Sequence, residues 1–145
     1  MELREIMSQP IATVRATASV QHAAEMMALH DVGALPVCED DVLVGILTDR
    51  DVILRCIAPG LATHTTEVRK IMTPSPVFLE ANAPVEQAAT IFRDLRIRRL
   101  PVVDDGHPIG MVTVDDIARQ WDNDAAILLM ARRVAPRRKR KAPAA

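Results

Sequence analysis

The chain has 145 residues, 49% hydrophobic and 2% aromatic, with a formal net charge of −1, a size that suits one compact globule. Seven of its 18 Lys and Arg lie between Arg132 and Lys141, which leaves an acidic body and excludes base-stacking nucleic-acid recognition there. No run of 18 apolar residues offers a membrane span and the charged start Met1-Glu2-Leu3-Arg4-Glu5 does not read as a signal peptide, so a cytoplasmic protein is expected.

In chain order, residues 12–15 read as a short strand. Over 19–31, apolar Val20, Ala23, Ala24, Met27 and Val32 fall at helical spacing, with Ser19 placed to cap the start. Apolar runs at 34–38 and 42–47 around Glu39-Asp40-Asp41 read as a hairpin, and 48–58 as a helix. Residues 61–66 read as a linker rich in turn and cap formers, and 67–72 as a short helical lead-in. The order then repeats. A strand is expected at 77–80 and a helix at 84–95, with Pro84 in the first turn where its missing N–H costs nothing. A hairpin over 100–103 and 109–112 turns at Asp104-Asp105-Gly106, and a helix follows over 113–121. Residues 122–134 read as a last helix and 135–145 as a disordered basic tail.

The second half copies the first at a constant offset of 65 residues. Ile6-Met7 returns as Ile71-Met72, Leu35-Pro36-Val37 as Leu100-Pro101-Val102, and Gly45-Ile46-Leu47-Thr48-Asp49-Arg50-Asp51 as Gly110-Met111-Val112-Thr113-Val114-Asp115-Asp116. A unit of this size buries only about 60% of the surface its unfolded chain exposes, so two units sharing a core are expected. The fold class is α+β: two tandem β-α-β-β-α repeats, 1–60 and 67–121.

Each Thr-x-x-Asp stands where strand gives way to helix, and its first use is a capping box. The glycine three residues before each threonine marks a close approach of backbone or ligand. A hydroxyl, free amides and a carboxylate would then share one helix start. Amides with a positive dipole end favour phosphate, and a carboxylate accepts from sugar hydroxyls; nucleotides offer both groups.

These motifs, with Ile6-Met7-Ser8, Val20-Gln21-His22-Ala23-Ala24 and Gly33-Ala34-Leu35-Pro36-Val37, resemble the cystathionine β-synthase (CBS) domain. The two copies together are similar to a CBS pair, or Bateman module, of the small stand-alone bacterial kind. The resemblance implies a pseudo-two-fold sandwich and a non-catalytic sensor that needs no cofactor. Its regulatory ligand would be an adenosine-containing nucleotide: AMP, ADP, ATP, NAD or S-adenosylmethionine. It implies two sites. The first joins Thr48, Arg50 and Asp51 to Val77, Ile97, Arg98 and Arg99. The second joins Thr113 and Asp116 to Ala12, Val32, Gly33 and Ala34. Arg98-Arg99 stand where the other copy has Gly33-Ala34, so phosphates are expected at the first site, since guanidinium groups bind them bidentately. Phe78 replaces Thr13, and Val114-Asp115 replaces Asp49-Arg50, so the second site is expected to be vacant or to take an uncharged adenosine end.

Other signals are bland. His22, His30, His64 and His107 show no metal-ligand spacing with Cys38 and Cys56, which read as buried thiols. No motif supplies a nucleophile, so neither a metal site nor catalysis is expected. Met7, Met26 and Met27 read as core. By resemblance the chain forms a homodimer acting on an effector protein that the sequence does not name. The alternative is an adaptor with a structural cleft, whose last helix and Arg137-Arg138-Lys139-Arg140-Lys141 engage a protein or an anionic surface, nucleic acid only weakly.

Overall fold

The computed structural model describes residues 1–9 and 11–120; the last helix expected over 122–134 and the basic tail over 135–145 lie outside them. Repeat 1 runs β1 (Val14–Arg15), α1 (Val20–His30), β2 (Ala34–Glu39), β3 (Val42–Thr48) and α2 (Asp49–Asp51), which continues as a π-helical turn over Val52–Ile57. After β4 (Thr73–Pro74), repeat 2 runs β5 (Leu79–Glu80), α3 (Val85–Leu95), β6 (Arg99–Asp104), β7 (His107–Thr113) and α4 (Val114–Gln120). Strand order is β1-β2-β3-β4 in one sheet and β5-β6-β7 in the other; β1 pairs parallel with β2 and β5 with β6, and all other pairs are antiparallel.

The hairpins form because their turns accept left-handed backbone. Asp40 and Asp41 have φ of 48° and 63°, and Asp105 and Gly106 have 51° and 80°. Two successive positive φ values give the tight turn whose twist matches the flanking strands, and Asp and Gly reach that region most readily. All residues from Ala34 to Cys38 are buried, so β2 reads as a continuous apolar run rather than an alternating one. Helix α1 covers its sheet with Val20, Ala23 and Met27, while Ser19 Oγ accepts from the His22 N–H at 3.0 Å. Helix α3 uses Val85, Ala88, Ala89 and Phe92, an apolar stripe at i, i+3, i+4 and i+7.

Three elements differ from the sequence expectation. The strands read over 12–15 and 77–80 shorten to two residues each, leaving Ala12 and Val77 ahead of them. Only a 3₁₀ turn, Val68–Lys70, forms within 67–72, and the unexpected strand β4 follows it. Pro74 argued against a strand; an edge position, where no ladder N–H is required, tolerates it. The helix read over 48–58 changes pitch after Asp51, with Ala58 and Leu61 donating to carbonyls five residues back, on Ile53 and Cys56.

The lead-in of each repeat packs on the other repeat. Leu3 is fully buried in the repeat 2 core with Phe92, Leu100, Val112 and Ile117, and Ile6 and Met7 pack against that core. Val68, Ile71 and Met72 belong instead with Val20, Leu35, Val37 and Leu47 in repeat 1. Backbone bonds repeat the exchange: Leu3 and Arg4 N–H donate to Ala83 and Ala81, and Val68 and Arg69 N–H to Ala18 and Ala16. Strand β4 pairs with β3 through Thr73 and Ile46, and Ser8 bridges Met111 at the matching place. The hairpins also meet at their turns, where the Leu43 N–H donates to Gly106 O and His107 Nδ1 lies 2.8 Å from Asp41 O. A carbonyl only accepts, so that ring nitrogen carries the proton.

Candidate functional site

The Thr-x-x-Asp boxes close in both repeats. In repeat 1 the Thr48 N–H donates to Asp51 Oδ2 at 2.9 Å and the Asp51 N–H to Thr48 Oγ1 at 3.1 Å. In repeat 2 the distances are 2.8 and 3.2 Å, and the Thr113 hydroxyl also meets Asp116 Oδ2 at 2.9 Å. Each carboxylate turns its other oxygen to an arginine of its own helix, Arg55 at 3.7 Å from Asp51 Oδ1 and Arg119 at 3.6 Å from Asp116 Oδ1. Both aspartate side chains are mostly buried while the arginines are half-exposed or more.

The amides expected to be free are satisfied in repeat 1. The Asp49 N–H donates to Gly33 O at 3.0 Å, the Arg50 N–H to Asp49 Oδ1 at 2.8 Å, and the Asp51 N–H to Thr48 Oγ1. An anion arriving here meets arginine side chains first. The glycines also have another use than ligand approach. A β-carbon on Gly45 would lie 2.4 Å from Met72 Sδ, and one on Gly110 would lie 2.4 Å from Met7 Sδ. Each glycine is a notch for the methionine of the exchanged lead-in, and the 65-residue recurrence of that Met was the sequence signal for it.

Within each hairpin, register sets Ala34 opposite Thr48 and Arg99 opposite Thr113. The Val114 N–H donates to Arg98 O just as the Asp49 N–H does to Gly33 O. The backbone before Leu-Pro-Val is therefore tied to its own repeat's threonine. What crosses between repeats is the Arg99 side chain: its Nη1 lies 3.4 Å from the position a β-carbon on Gly33 would take, and Asp49 Oδ2 lies 3.0 Å from the same point. Thr48, Asp51, Gly33, Ala34 and Arg99 are thus gathered in one region with Asp49, a residue that the sequence reading left out of the site. Arg50 and Arg98 are exposed, as are Val32 and Val77. Ile97 packs on the repeat 2 core and Ala12 on the repeat 1 core.

A separate hollow of about 670 Å³, lined by Thr13, Arg15, Thr17, His22, Cys38 and Asp41, opens at the other end of β2. Burial, with a smaller contribution from Asp41, pushes the Cys38 thiol up from its ordinary value, so it stays protonated and a poor nucleophile. Among the described residues no three His, Cys, Asp or Glu gather as a metal site, and no helix is long and apolar enough to cross a membrane.

Comparison with known proteins agrees with this duplicated architecture. The CBS domain family matches residues 3–57 and again 68–122. The chain is 34% identical over 125 residues to Hypoxic response protein 1 of Mycobacterium tuberculosis, covering 86% of this chain and 87% of that one. It is 38% identical over 125 residues to the CBS domain-containing protein YhcV of Bacillus subtilis, covering 86% and 89%. The crystal structure of Hypoxic Response Protein I with two coordinated zinc ions superposes with a TM-score of 0.76 at 33% identity, over 84% of this chain and all of that one. The CBS pair of MJ0100 in complex with 5-methylthioadenosine and S-adenosyl-L-methionine gives 0.73 at 28%, covering 84% and 100%. CBSX2 in complex with AMP gives 0.69 at 32%, covering 82% and 94%. With two family matches spanning most of the chain, each on one half of the duplication, this protein belongs to the CBS domain family as a tandem pair.

Proposed function

We propose that the chain is a non-catalytic sensor that takes an adenosine-containing nucleotide between its repeats, principally at the Thr48–Asp51 box. CBS-domain proteins are typically non-catalytic regulatory modules, and two similar pairs hold AMP or adenosyl compounds. The observation that carries the reading is Arg99, a repeat 2 guanidinium standing over Gly33 of repeat 1 within reach of that box. In this reading Asp51 Oδ1 accepts from the ribose hydroxyls, and Arg50, Arg98 and Arg99 face the phosphates, with Val77 and Ile97 against the base. The second site, at the Thr113–Asp116 box, loses Gly33 and Ala34 to the first by strand register, and has Val114 and Asp115 where the first has Asp49 and Arg50, and so holds phosphate poorly.

A bound nucleotide stabilises the folded state by RT ln(1 + [L]/Kd), about 2.7 kcal/mol at a hundredfold excess over Kd. A thermal-shift panel of AMP, ADP, ATP, NAD and S-adenosylmethionine is expected to raise the melting temperature with at least one of them; no shift with any overturns the reading. Calorimetry then assigns the site. Asp51→Ala is expected to lose binding and Asp116→Ala to keep it, and the reverse result moves the ligand to repeat 2.

The homodimer belongs to the same proposal. The turn of helix after Asp51 is apolar on nearly every side, yet the monomer covers only Val52 and Cys56, leaving Ile53, Leu54 and Ile57 about half exposed. Arg55, its one charge, is drawn aside to Ile71 O at 3.1 Å and to Asp51, so two copies could meet here without burying an unpaired ion. At the matching register repeat 2 has Ala118, Arg119 and Asp122. Importing these as Ile53→Ala, Leu54→Arg and Ile57→Asp is expected to convert a dimer to a monomer in sedimentation equilibrium.

A further inference from the structure

We propose that Arg55 couples the Thr48–Asp51 box to the lead-in of repeat 2, so that a hydroxyl bound by the Asp51 carboxylate loosens the hold on that lead-in. The inference rests on the nucleotide reading above and adds the route by which occupancy of that site is passed on. One guanidinium reaches both places. Its Nε lies 3.7 Å from Asp51 Oδ1, and its Nη1 donates to Ile71 O at 3.1 Å, with Met72 O at 3.4 Å. The planar fork of a guanidinium suits it to join partners that lie in different directions.

The carbonyls that Arg55 takes belong to a segment that holds the repeats together. Ile71 is buried in the repeat 1 core, Met72 fills the Gly45 notch, and Thr73 and Pro74 follow as β4, paired with Ile46 and Gly45 of β3. Strand β3 ends at Thr48, the first residue of the box. Arg55 therefore closes a ring of contacts that runs from β3 through the box and the helical turn to the lead-in, and back through β4 to β3. Beyond β4 the same segment carries the chain to Val77 and repeat 2. The change of helical pitch over Val52–Ile57 includes Arg55, and such irregularities collect at functional sites. A ribose hydroxyl on Asp51 Oδ1 competes with Arg55 Nε for the same oxygen, so binding there frees the guanidinium on one side and weakens its grip on Ile71 O. Repeat 2 is built differently. Its Asp116 Oδ1 is met at i+3 by Arg119, and Gln120 stands at the register of Arg55.

The test begins without a ligand. Asp51→Asn removes the charge that draws Arg55 Nε but keeps an oxygen for the Thr48 N–H, and so imitates an occupied carboxylate. In native-state hydrogen exchange on the full chain it is expected to speed residues 68–75 about two- to fivefold relative to residues 3–9, the matching lead-in, which is the size of one partly exposed ion pair. In an Arg55→Gln background, which copies repeat 2, the same substitution is expected to change the two lead-ins equally. A purely structural role for Arg55 would lower stability in both lead-ins without this dependence of one substitution on the other. Equal exchange of the two lead-ins in Asp51→Asn, or a difference that persists in Arg55→Gln, overturns the proposal and leaves the nucleotide reading standing. AMP or ATP at saturation, with binding verified by calorimetry, is expected to produce the same selective change in the unsubstituted chain and none in Arg55→Gln. Binding without that change also overturns the proposal. If no nucleotide of the thermal-shift panel binds, the nucleotide reading fails, and the ligand-free cycle of Asp51→Asn and Arg55→Gln alone decides the coupling.

Discussion

The two repeats share the devices that close each unit and differ at several exposed positions of the cleft and the last helical turn. Both hairpins carry an irregular step at the same register, between Val37 and Cys38 and between Val102 and Val103. Both boxes close, and both glycines receive a methionine from the other lead-in. Among the positions where they differ are Gly33 against Arg98, Asp49 against Val114, and Ile53-Leu54 against Ala118-Arg119. These positions touch the cleft or the exposed helical face. The duplication is thus its own control, since importing a residue from one copy into the other asks what that difference does.

The exchange of lead-ins can be broken most forcefully. Leu3 and Val68 occupy the same register and both are fully buried, but each packs in the opposite repeat's core. Leu3→Ala is expected to cost about 2–5 kcal/mol, and Val68→Ala somewhat less for its smaller side chain. The diagnostic is location. Leu3→Ala is expected to speed amide exchange in α3 and β7 more than in α1, and Val68→Ala the reverse, measured by native-state hydrogen exchange. Faster exchange of α1 in Leu3→Ala would refute the crossed packing.

A smaller effect separates the two notches. The nearest atoms to an alanine β-carbon at Gly110 are Met7 Sδ, Cγ and Cβ, whereas at Gly45 they include the backbone carbonyl of Thr73 at 3.0 Å. Overpacking of this kind costs about 1–3 kcal/mol. Both substitutions are expected in this range: Gly45→Ala presses on the Thr73 carbonyl and Gly110→Ala on Met7 down to its β-carbon. Met7→Ala is expected to relieve Gly110→Ala in urea melts, while Met72→Ala leaves part of the Gly45→Ala penalty in place.

Much of this architecture was legible because one copy checked the other. The helices over α1 and α3, both hairpins and their turns follow from apolar spacing and from Asp and Gly at fixed offsets. The exchange was not legible: the return of Ile6-Met7 as Ile71-Met72 announces equivalence, but repetition cannot say which core receives which segment. Strand β4 was hidden by Pro74, which only an edge position tolerates, and the π-helical turn by an apolar run that fits either pitch. At the candidate site the capping boxes were readable from Thr-x-x-Asp alone. Asp49 was not. That its carboxylate caps the next amide and lies, like Arg99, beside Gly33 depends on a side-chain conformation and on an arginine 50 residues further along the chain.

The buried thiol offers a pH-dependent contrast. Cys38 has Val103 as its counterpart, and burial raises the thiol above its ordinary value. An acid whose folded value is raised keeps its proton in the folded state after the unfolded chain has lost it. Stability is therefore expected to fall as pH rises beyond about 8.5, where an unfolded cysteine ionises, and to level off once the folded thiol also ionises. Cys38→Val is expected to flatten that decline between pH 8 and 10 in urea melts, and an unchanged slope would assign the decline to other groups.

The smallest difference lies at the helix ends. Asp31 after α1 and Arg96 after α3 both adopt left-handed backbone, with φ of 52° and 55°. A side chain there brings its β-carbon against the following carbonyl, and Asp bears this better than Arg because its short polar side chain can bond locally. Glycine removes the clash but adds freedom to the unfolded chain, so the two effects partly cancel. Arg96→Gly is expected to stabilise by about 0.5–1 kcal/mol and Asp31→Gly by a few tenths. Arg96→Asn isolates the steric part, since asparagine enters this region more easily without glycine's entropy. A gain from Asn approaching that from Gly assigns the penalty at Arg96 to backbone strain. No gain from either variant would mean that the αL turn after α3 is relaxed by its surroundings, and that the helix ends, unlike the cleft, do not distinguish the repeats.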